Sequence, residues 1–412
     1  MPVYHYGGYA GTAIALNSYD QQYVNIPYIN ISHQSFTLEV WFILLPPTGI
    51  SINQTDFGIF GQCSTDQKCF LLTLRNGHIH VSFDSLANNV TLISPTLVTY
   101  YYWVHIAVVY DANALQQRLY INGRLEIIST GIVSPYDGLV TGASAWIGRT
   151  KSAAYSLSYF NGYIDHFLLT PNIVKSTCQI YNDATLAFYF PFDSNQTTYD
   201  LSIYSYSVIT MDTSFVSGRV NQALLFSPTN NSFFQSQCYS YNRQSATYTF
   251  SLWIYPQNIL RGGSIIHVSF LQNGNGTLCY DLLSLTANGE LVVQIVHNTS
   301  LTIAVQGPVL PNDTWTHVTV IYSYFSGVRL LLNGTVTNFY PNTVYGLYFY
   351  IYTYQQLYIT LGNNRPAGAP LPSCLVGSLP IVSGAFSGMI DEFRLFMREL
   401  TGDEICQLVI IE

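Results

Sequence analysis

Charge is what this sequence has least of. It carries 14 basic and 22 acidic side chains in 412 residues, a charged share of 9%, against about 25% in ordinary globular chains. With a formal net charge of −8 and no run of Lys or Arg anywhere, there is no phosphate-binding footprint, which excludes nucleic acid as a partner. Long apolar runs are missing as well. No stretch reaches the roughly 18 residues that a bilayer span requires, so no membrane span is expected in this chain. The opening MPVYHYGGYA lacks the basic flank and apolar core of a signal peptide, and any export signal or anchor is expected outside these residues. Helical periodicity is nearly absent. The best short-helix candidate is RELTGDEICQL, where Thr401 or Asp403 could cap a turn ahead of Glu404.

What is present is an internal repeat, in a chain long enough for two domains. Trp41 in FTLEVW meets Trp253 in YTFSLW at an offset of 212, and Trp103 with His105 meets Trp315 with His317 at the same offset. Cys69 matches Cys279 at 210, YINGRL matches LLNGTV at 211, and Gly148 matches Gly362 at 214. The closing motifs GYIDHF and GMIDEF pair Gly162 with Gly388 and Asp165 with Asp391 at 226. Unit two therefore carries about a dozen extra residues, placed in NNRPAGAPLPSCLVGSLPIVSGAF, a Pro/Gly/Ser-rich stretch that reads as a surface loop.

Each unit reads as strands. HIAVVY and HVTVIY are short β-branched and aromatic runs, and LYING and LLNG put Asn-Gly where a type I′ hairpin turn needs two residues at positive φ. Many short strands punctuated by Gly, Asn and Pro imply an all-β protein of sheets packed face to face.

The ordered set GRVNQALLF, TYTFSLWIYP, TWTHVTVIYS, RLLLNG, LYITLGN and GMIDEFRLFMREL resembles the laminin-G-like kind of concanavalin-A-like jelly roll over nearly all of residues 186–412. Unit one fits the same pattern from about residue 8 to 178. The resemblance implies two tandem antiparallel β-sandwiches, 1–183 and 184–412, with Gly-x-Ile-Asp-x-Phe on a late strand returning beside the first ones. Asp165 and Asp391 are expected as carboxylates satisfied by backbone N–H groups.

Laminin-G-like sandwiches sometimes hold calcium at a rim, which makes Asp193, Asp200 and Asp391 candidate ligands of a structural calcium, although DLSIYSYS departs from the family's Asp-Ser-Gly-Asn turn. The glucanases of the same superfold carry Glu-x-Asp-x-x-Glu or a close variant, and this chain does not. Glu39 is a lone acid whose counterpart is Ser251. His78 and His80 share a strand face without an evident third metal ligand, and His105 and His317 suit packing. No enzymatic activity is expected.

Nine Asn-x-Ser/Thr sites occur, at Asn30, Asn53, Asn89, Asn195, Asn230, Asn275, Asn298, Asn312 and Asn333, and a glycan coat would supply the hydration that so few charges cannot. Seven cysteines without Cys-x-x-Cys spacing point to disulfides; reduced core cysteines in a cytoplasmic protein are the alternative. Cys63 and Cys69 flank the loop STDQK and should pair. Cys279, whose match Cys69 is already paired, should join Cys374 in the loop found only in unit two. Cys238 and Cys406 should meet if terminal strands close the sandwich, leaving Cys178, read as the match of Cys406, unpaired or bonded to an external partner.

The expected role is a secreted, glycosylated structural or adhesion module of a larger extracellular assembly or filament, with other copies or neighbouring repeats as partners. The alternative is a carbohydrate-binding lectin module, since 34 Tyr are available to stack on sugars and YGLYFYIYTYQQLY, residues 345–358, gathers the most aromatics. Unit two opens with ATLAFYFPFDSNQTTYDLSIYSYSVIT, for which unit one has no match. Unit one is therefore expected to lack its first strands and to be completed from outside, by preceding residues or by a strand of another copy.

Overall fold

The computed structural model describes the chain apart from residues 1, 7, 10, 48–55, 65–67, 85–89, 130–132, 139–143, 152–156, 194–198, 230, 240–246, 299–300, 343–355, 367–373, 376 and 411–412. It divides into two compact units, one Met1–Ala184, the other Thr185–Ser240 with Gln244–Glu412. Both are antiparallel two-sheet sandwiches, so the jelly-roll reading of the repeat holds.

In unit one the front sheet has seven strands, in the order Val3–Tyr6, Thr12–Leu16, Gly162–Pro171, Phe36–Leu44, Trp103–Asp111, Gln116–Ile121 and Arg124–Ile128. The back sheet runs Val24–Ile26, Ser144–Ile147, Asp56–Cys63, Cys69–Arg75, His78–Asp84 and Val90–Leu97. Period-two alternation builds the core between them: Phe36, Leu38, Val40, Phe42 and Leu44 point inward against Phe70, Leu72, Leu74, Ile79, Val81 and Phe83.

Unit two repeats this plan. Its front sheet runs Thr213–Ser217, Gln222–Phe226, Gly388–Phe396, Thr247–Pro256, Thr316–Ser323, Gly327–Leu332 and Thr335–Tyr340, with Leu186–Phe190 added beside Gly388–Phe396. The back sheet runs Val208–Met211, Phe233–Tyr239, Gln356–Leu361, Gly263–Ser269, Cys279–Leu285, Glu290–Asn298 and Leu301–Val309.

The repeated local signals have local causes. Asn122 and Gly123 take φ of 50° and 77°, and Asn333 and Gly334 take 48° and 78°, as a type I′ turn demands. Each Asn then reaches across its hairpin, with Asn122 Oδ1 accepting from His105 N at 3.0 Å and Asn333 Oδ1 from His317 N at 2.9 Å. The glycine of the closing motif is steric: a Cβ would stand 2.0 Å from Ile43 O at Gly162 and 2.4 Å from Tyr255 O at Gly388.

Each unit ends in a short helix, α1 (Thr177–Thr185) and α2 (Gly402–Ile410). Helix α2 has the expected capping box: Glu404 N donates to Thr401 Oγ1 at 3.3 Å and Thr401 N to Glu404 Oε2 at 2.8 Å. Helix α1 was not expected, yet Ser176 and Gln179 form the same box, with Gln179 N donating to Ser176 Oγ at 3.2 Å and Ser176 N to Gln179 Oε1 at 2.8 Å. Both helices lie on the outer face of their front sheet, through Ile180 against Ala107, Val109 and Tyr120 and through Ile405 against Ile321, Leu331 and Phe396. Ser176→Ala should lower unit-one stability by about 1 kcal/mol, read as a shifted urea midpoint at unchanged slope.

Candidate functional site

The outer face of each front sheet carries the repeated side chains. Asp391 is wholly buried on the closing strand, and its Oδ2 accepts from Arg219 N and Val220 N, both at 2.9 Å. Those donors belong to the hairpin turn closed by Gly218 N to Asn221 O at 3.1 Å. The turn residue Arg219 lays its guanidinium over the Trp253 ring at 4.7 Å, and Trp253 meets His317 edge-on at 5.1 Å.

Unit one stacks a different turn residue on the matching tryptophan. Tyr9 stacks on Trp41 at 3.6 Å, Trp41 lies 5.0 Å from His105, and a Cβ at Gly8 would be 2.6 Å from Asp165 Oδ2. In unit two the aspartate thus fastens a hairpin turn whose side chain covers a tryptophan; in unit one Asp165 stands beside the matching turn, and its Oδ1 accepts from His166 N at 2.8 Å. Burial raises the Asp391 carboxyl to about 7, the neighbouring Glu392 charge adds to this, and the backbone donors oppose it. His317 is lowered to about 4, by burial first and the Arg394 charge second.

Around this clamp the units diverge at one position. Ser251 Oγ hydrogen-bonds His317 Nε2 at 3.0 Å, a neutral contact. Glu39, in the corresponding place, is 3% exposed and ion-paired to Lys175, which also donates to Asp183 at 2.9 Å. Burial would raise Glu39, but His105 and Lys175 outweigh it and hold the carboxyl low; burial and the Glu39 charge raise Asp183. Glu39 is therefore a structural ion-pair member. The lysine that claims it precedes α1, over a hundred residues away in sequence.

The candidate calcium ligands are not gathered into a cage. Asp200 accepts from Tyr189 N at 2.8 Å, Ser202 N at 2.9 Å and Ser202 Oγ at 2.6 Å. Asp193 accepts from Asn221 Nδ2 and Gln222 N, both at 3.2 Å, and Asp391 holds its turn. Their oxygens face N–H and O–H donors, the reverse of what a hard cation needs, and among the described residues no group of three or more His, Cys, Asp or Glu is arranged to hold a metal ion. His78 and His80 do share the outer face of their strand, with His78 Nδ1 against Ser94 O at 2.8 Å.

The back sheets carry the disulfides Cys63–Cys69 and Cys279–Cys374. The second fastens the extra loop of unit two across the sheet, helped by Leu375 N to Cys279 O at 2.9 Å, Val382 N to Leu285 O at 3.0 Å and Ser264 N to Gly384 O at 2.9 Å. The loop is thus more than a surface excursion. Beside it lies a buried cluster that sequence reasoning missed. Asp281 accepts from Ser264 Oγ at 2.7 Å and Asn364 Nδ2 at 3.0 Å and meets His267 Nδ1 at 2.8 Å.

His267 Nε2 lies 2.8 Å from Gly274 O, which can only accept, so that nitrogen carries a proton. Burial would raise Asp281, but His267, Ser264 and Asn364 outweigh it and hold the carboxylate low. A Ser, a His and an Asp are together here, but the serine donates to the aspartate and both ring nitrogens are occupied. A nucleophilic serine must instead donate to the imidazole. The cluster ties loop to sheet. Its only sequence signal was the unrepeated Asn364 at the head of the inserted loop.

The expected Cys238–Cys406 bond is not formed. Cys406 is an exposed free thiol on α2, against the outer face of the front sheet, whereas Cys238 belongs to a back-sheet strand, so a sheet and the core separate them. Cys178 is also an exposed free thiol. The matching caps, Ser176 with Thr401 and Gln179 with Glu404, set the helix register and pair Ile180 with Ile405. In that register Cys178 aligns with Asp403, and the two cysteines differ by three residues, close to one turn.

Of the sequons, Asn30, Asn312 and Asn333 are exposed. Each uses Oδ1 to accept a backbone N–H, from Ser32, Ile259 and His317, which leaves Nδ2 as the atom a glycan would join. Asn275 is half-buried. Asn53, Asn89, Asn195 and Asn230 lie outside the described residues, as does the side chain of Asn298. So does most of the tyrosine-rich 345–358 stretch; its Tyr358 is half-buried on the back sheet.

A family model described as the concanavalin A-like lectin/glucanases superfamily, of the laminin-G type, matches residues 17–175 and 230–406. No curated protein matches the chain. Among solved structures, the binding domain of Paraclostridial Mosquitocidal Protein 1 is 17% identical, covering 55% of this chain and 52% of that one, with a TM-score of 0.39. The chain thus spans about half the length of that binding domain. Mouse laminin alpha1 domains LG4-5 are 10% identical over 94% of this chain and 90% of that one, with a TM-score of 0.28. Domain 4 of the Geobacillus stearothermophilus arabinanase AbnA, solved with arabinotriose, is 15% identical over 54% of this chain and 98% of that one, with a TM-score of 0.34.

Proposed function

Because this chain belongs to the concanavalin A-like lectin/glucanase superfamily, as a tandem of laminin-G-like sandwiches, we propose that it is a secreted, glycosylated structural or adhesion module of a larger extracellular assembly. The observation that carries this reading is the pair of disulfides, one on the back sheet of each unit. Structural bonds of this kind persist in oxidising compartments and are rare where glutathione keeps thiols reduced.

Supporting it, the buried polar groups are committed to architecture. Asp391 holds a turn, Glu39 an ion pair and Asp281 a loop, so none is an accessible acid or base for chemistry on a bound substrate. Three exposed sequon asparagines present Nδ2 from turns and loops, and glycans there would hydrate a surface short of charge. The module then acts by binding and spacing, with neighbouring repeats or other copies as partners.

Glycopeptide mass spectrometry of native material tests this. Hexosamine is expected on Asn30, Asn312 and Asn333, and unmodified asparagine at all nine sequons would remove the secreted reading. A glycan array separates scaffolding from the lectin alternative: a scaffold gives no sugar-selective signal above a charge-matched control.

A further inference from the structure

The repeat supplies an internal control for strand edges. In unit two the far edge of the closing strand Gly388–Phe396 is paired in both its halves. Gly388, Met389 and Ile390 pair with Phe226, Leu225 and Leu224, and then Phe393, Arg394, Leu395 and Phe396 pair with Phe190, Tyr189, Phe188 and Leu186. The second partner is the apolar strand LAFYF. Its Phe188 sits 5.0 Å from Phe393, and its Phe190 sits 4.9 Å from Phe234.

In unit one, among the described residues, the closing strand Gly162–Pro171 uses only the first half of that edge. Gly162, Tyr163 and Ile164 pair with Leu16, Ala15 and Ile14. Leu168, Leu169, Thr170 and Pro171 pair with Glu39, Leu38, Thr37 and Phe36 on one side, and among the described residues no strand pairs with them on the other. The side chains record the difference. Phe393, Leu395 and Phe396 are buried, at 0%, 6% and 6% exposure, whereas their counterparts Phe167, Leu169 and Thr170 are half-buried.

The outward position changes character as well. Arg394, which lies over the Tyr189 ring and pairs with Glu392, is replaced by Leu168, 46% exposed. An unpaired edge beside incompletely covered apolar side chains is a template for strand addition.

We propose that the Phe167–Pro171 edge of unit one receives an apolar–aromatic β-strand from another polypeptide, antiparallel to the closing strand, in the place that Leu186–Phe190 holds in unit two. The partner's chemistry follows from that place. Residues where Phe188 and Phe190 stand must be large and apolar to cover Phe167 and Leu169. The residue where Tyr189 stands faces Leu168 instead of an arginine, so an apolar or aromatic side chain fits there too. Backbone N–H and C=O groups on the open half of the edge supply the ladder. The inference stands on the fold and the repeat, and does not depend on whether the sequons are glycosylated.

The probe is a fluorescent peptide with the sequence of residues 186–190 between lysine tails, added to the full chain and followed by anisotropy and amide hydrogen exchange. Saturable 1:1 binding is expected, with at least about tenfold slower exchange at the edge-facing amides of Phe167–Thr170. Leu168→Asp, a change at an exposed side chain, should weaken binding at least tenfold, and a peptide carrying Phe188→Pro should not bind. Absence of saturable binding, or protection confined to other strands, overturns the proposal. So does protection of these amides in the chain alone that persists at every dilution, which shows the chain covering its own edge; protection that falls on dilution supports the proposal, with a second copy supplying the strand.

Discussion

Asp391→Ala should destabilise unit two by about 2–4 kcal/mol, because it leaves the Arg219 and Val220 N–H groups without their acceptor in a part-buried turn. Loss of the turn also frees Arg219 from the Trp253 face. Asp391→Asn keeps an oxygen acceptor and should be much milder. It is the informative variant, because burial holds this carboxyl at about 7, above its ordinary 3.8. Between those values the native state binds more protons than the unfolded state. The contribution of Asp391 to stability is thus fully present below about pH 4 and is lost as pH rises through about 7.

His317 works in the opposite sense. Its folded value of about 4 lies below the ordinary 6.5, so its contribution is present above pH 6.5 and is lost as pH falls toward 4. The two slopes oppose each other in the native protein. Asp391→Asn should therefore unmask stability that rises from pH 4 to about 6.5, where the native chain is flatter. Urea titrations across pH 4–8, with unit-two amides followed by hydrogen exchange, would read this directly. An Asp391→Asn curve parallel to the native one would refute the assigned titration.

The second large effect belongs to the loop disulfide. Replacing Cys279 and Cys374 together by serine should cost about 4–5 kcal/mol, since that bond closes a sequence separation of 95 residues. The same double change at Cys63 and Cys69, separated by 6, should cost about 2 kcal/mol. The difference also has a local signature. With the staple gone, Leu375 and Val382 lose their anchor to the back sheet, and the Asp281 cluster gains a route to water. Guanidinium denaturation of both double variants, with limited proteolysis of 363–386, measures the two effects. Equal losses, or an intact loop in the Cys279/Cys374 variant, would show that the hydrogen bonds hold it unaided.

Much of the architecture is a local property of this chain, and the sequence by itself determined it. Period-two runs specify strands, Asn122-Gly123 and Asn333-Gly334 specify hairpin turns through their positive φ, and the repeated glycines at 162 and 388 mark where a strand backbone passes too close for any Cβ. The repeat adds order, because six such pieces recurring in register describe one sandwich twice. The disulfide Cys279–Cys374 was legible by the same comparison, since Cys279 matches Cys69 but unit two lacks a counterpart of Cys63, and Cys374 lies in the loop that only unit two has. Helix α1 was legible too, through Ser176 and Gln179, but a single capping box weighs little in a chain otherwise written in strands.

What only the tertiary structure decided is which distant groups meet. Glu39 reads as an isolated acid until the approach to α1 brings Lys175 and Asp183 to it. Asp281 has no recognisable partner until the neighbouring strand Gly263–Ser269 and the head of the inserted loop converge on it. Cys238 lies on an early strand and Cys406 on the closing tail, and only the sheet assignment shows that they occupy opposite layers. The open half of the unit-one closing strand is of the same kind, visible once its neighbours are known. The physical reason is that backbone conformation and face alternation depend on a residue and its near neighbours, whereas buried ion pairs, the layer a cysteine occupies and edge closure depend on how segments distant in the chain come into register, which no local pattern encodes.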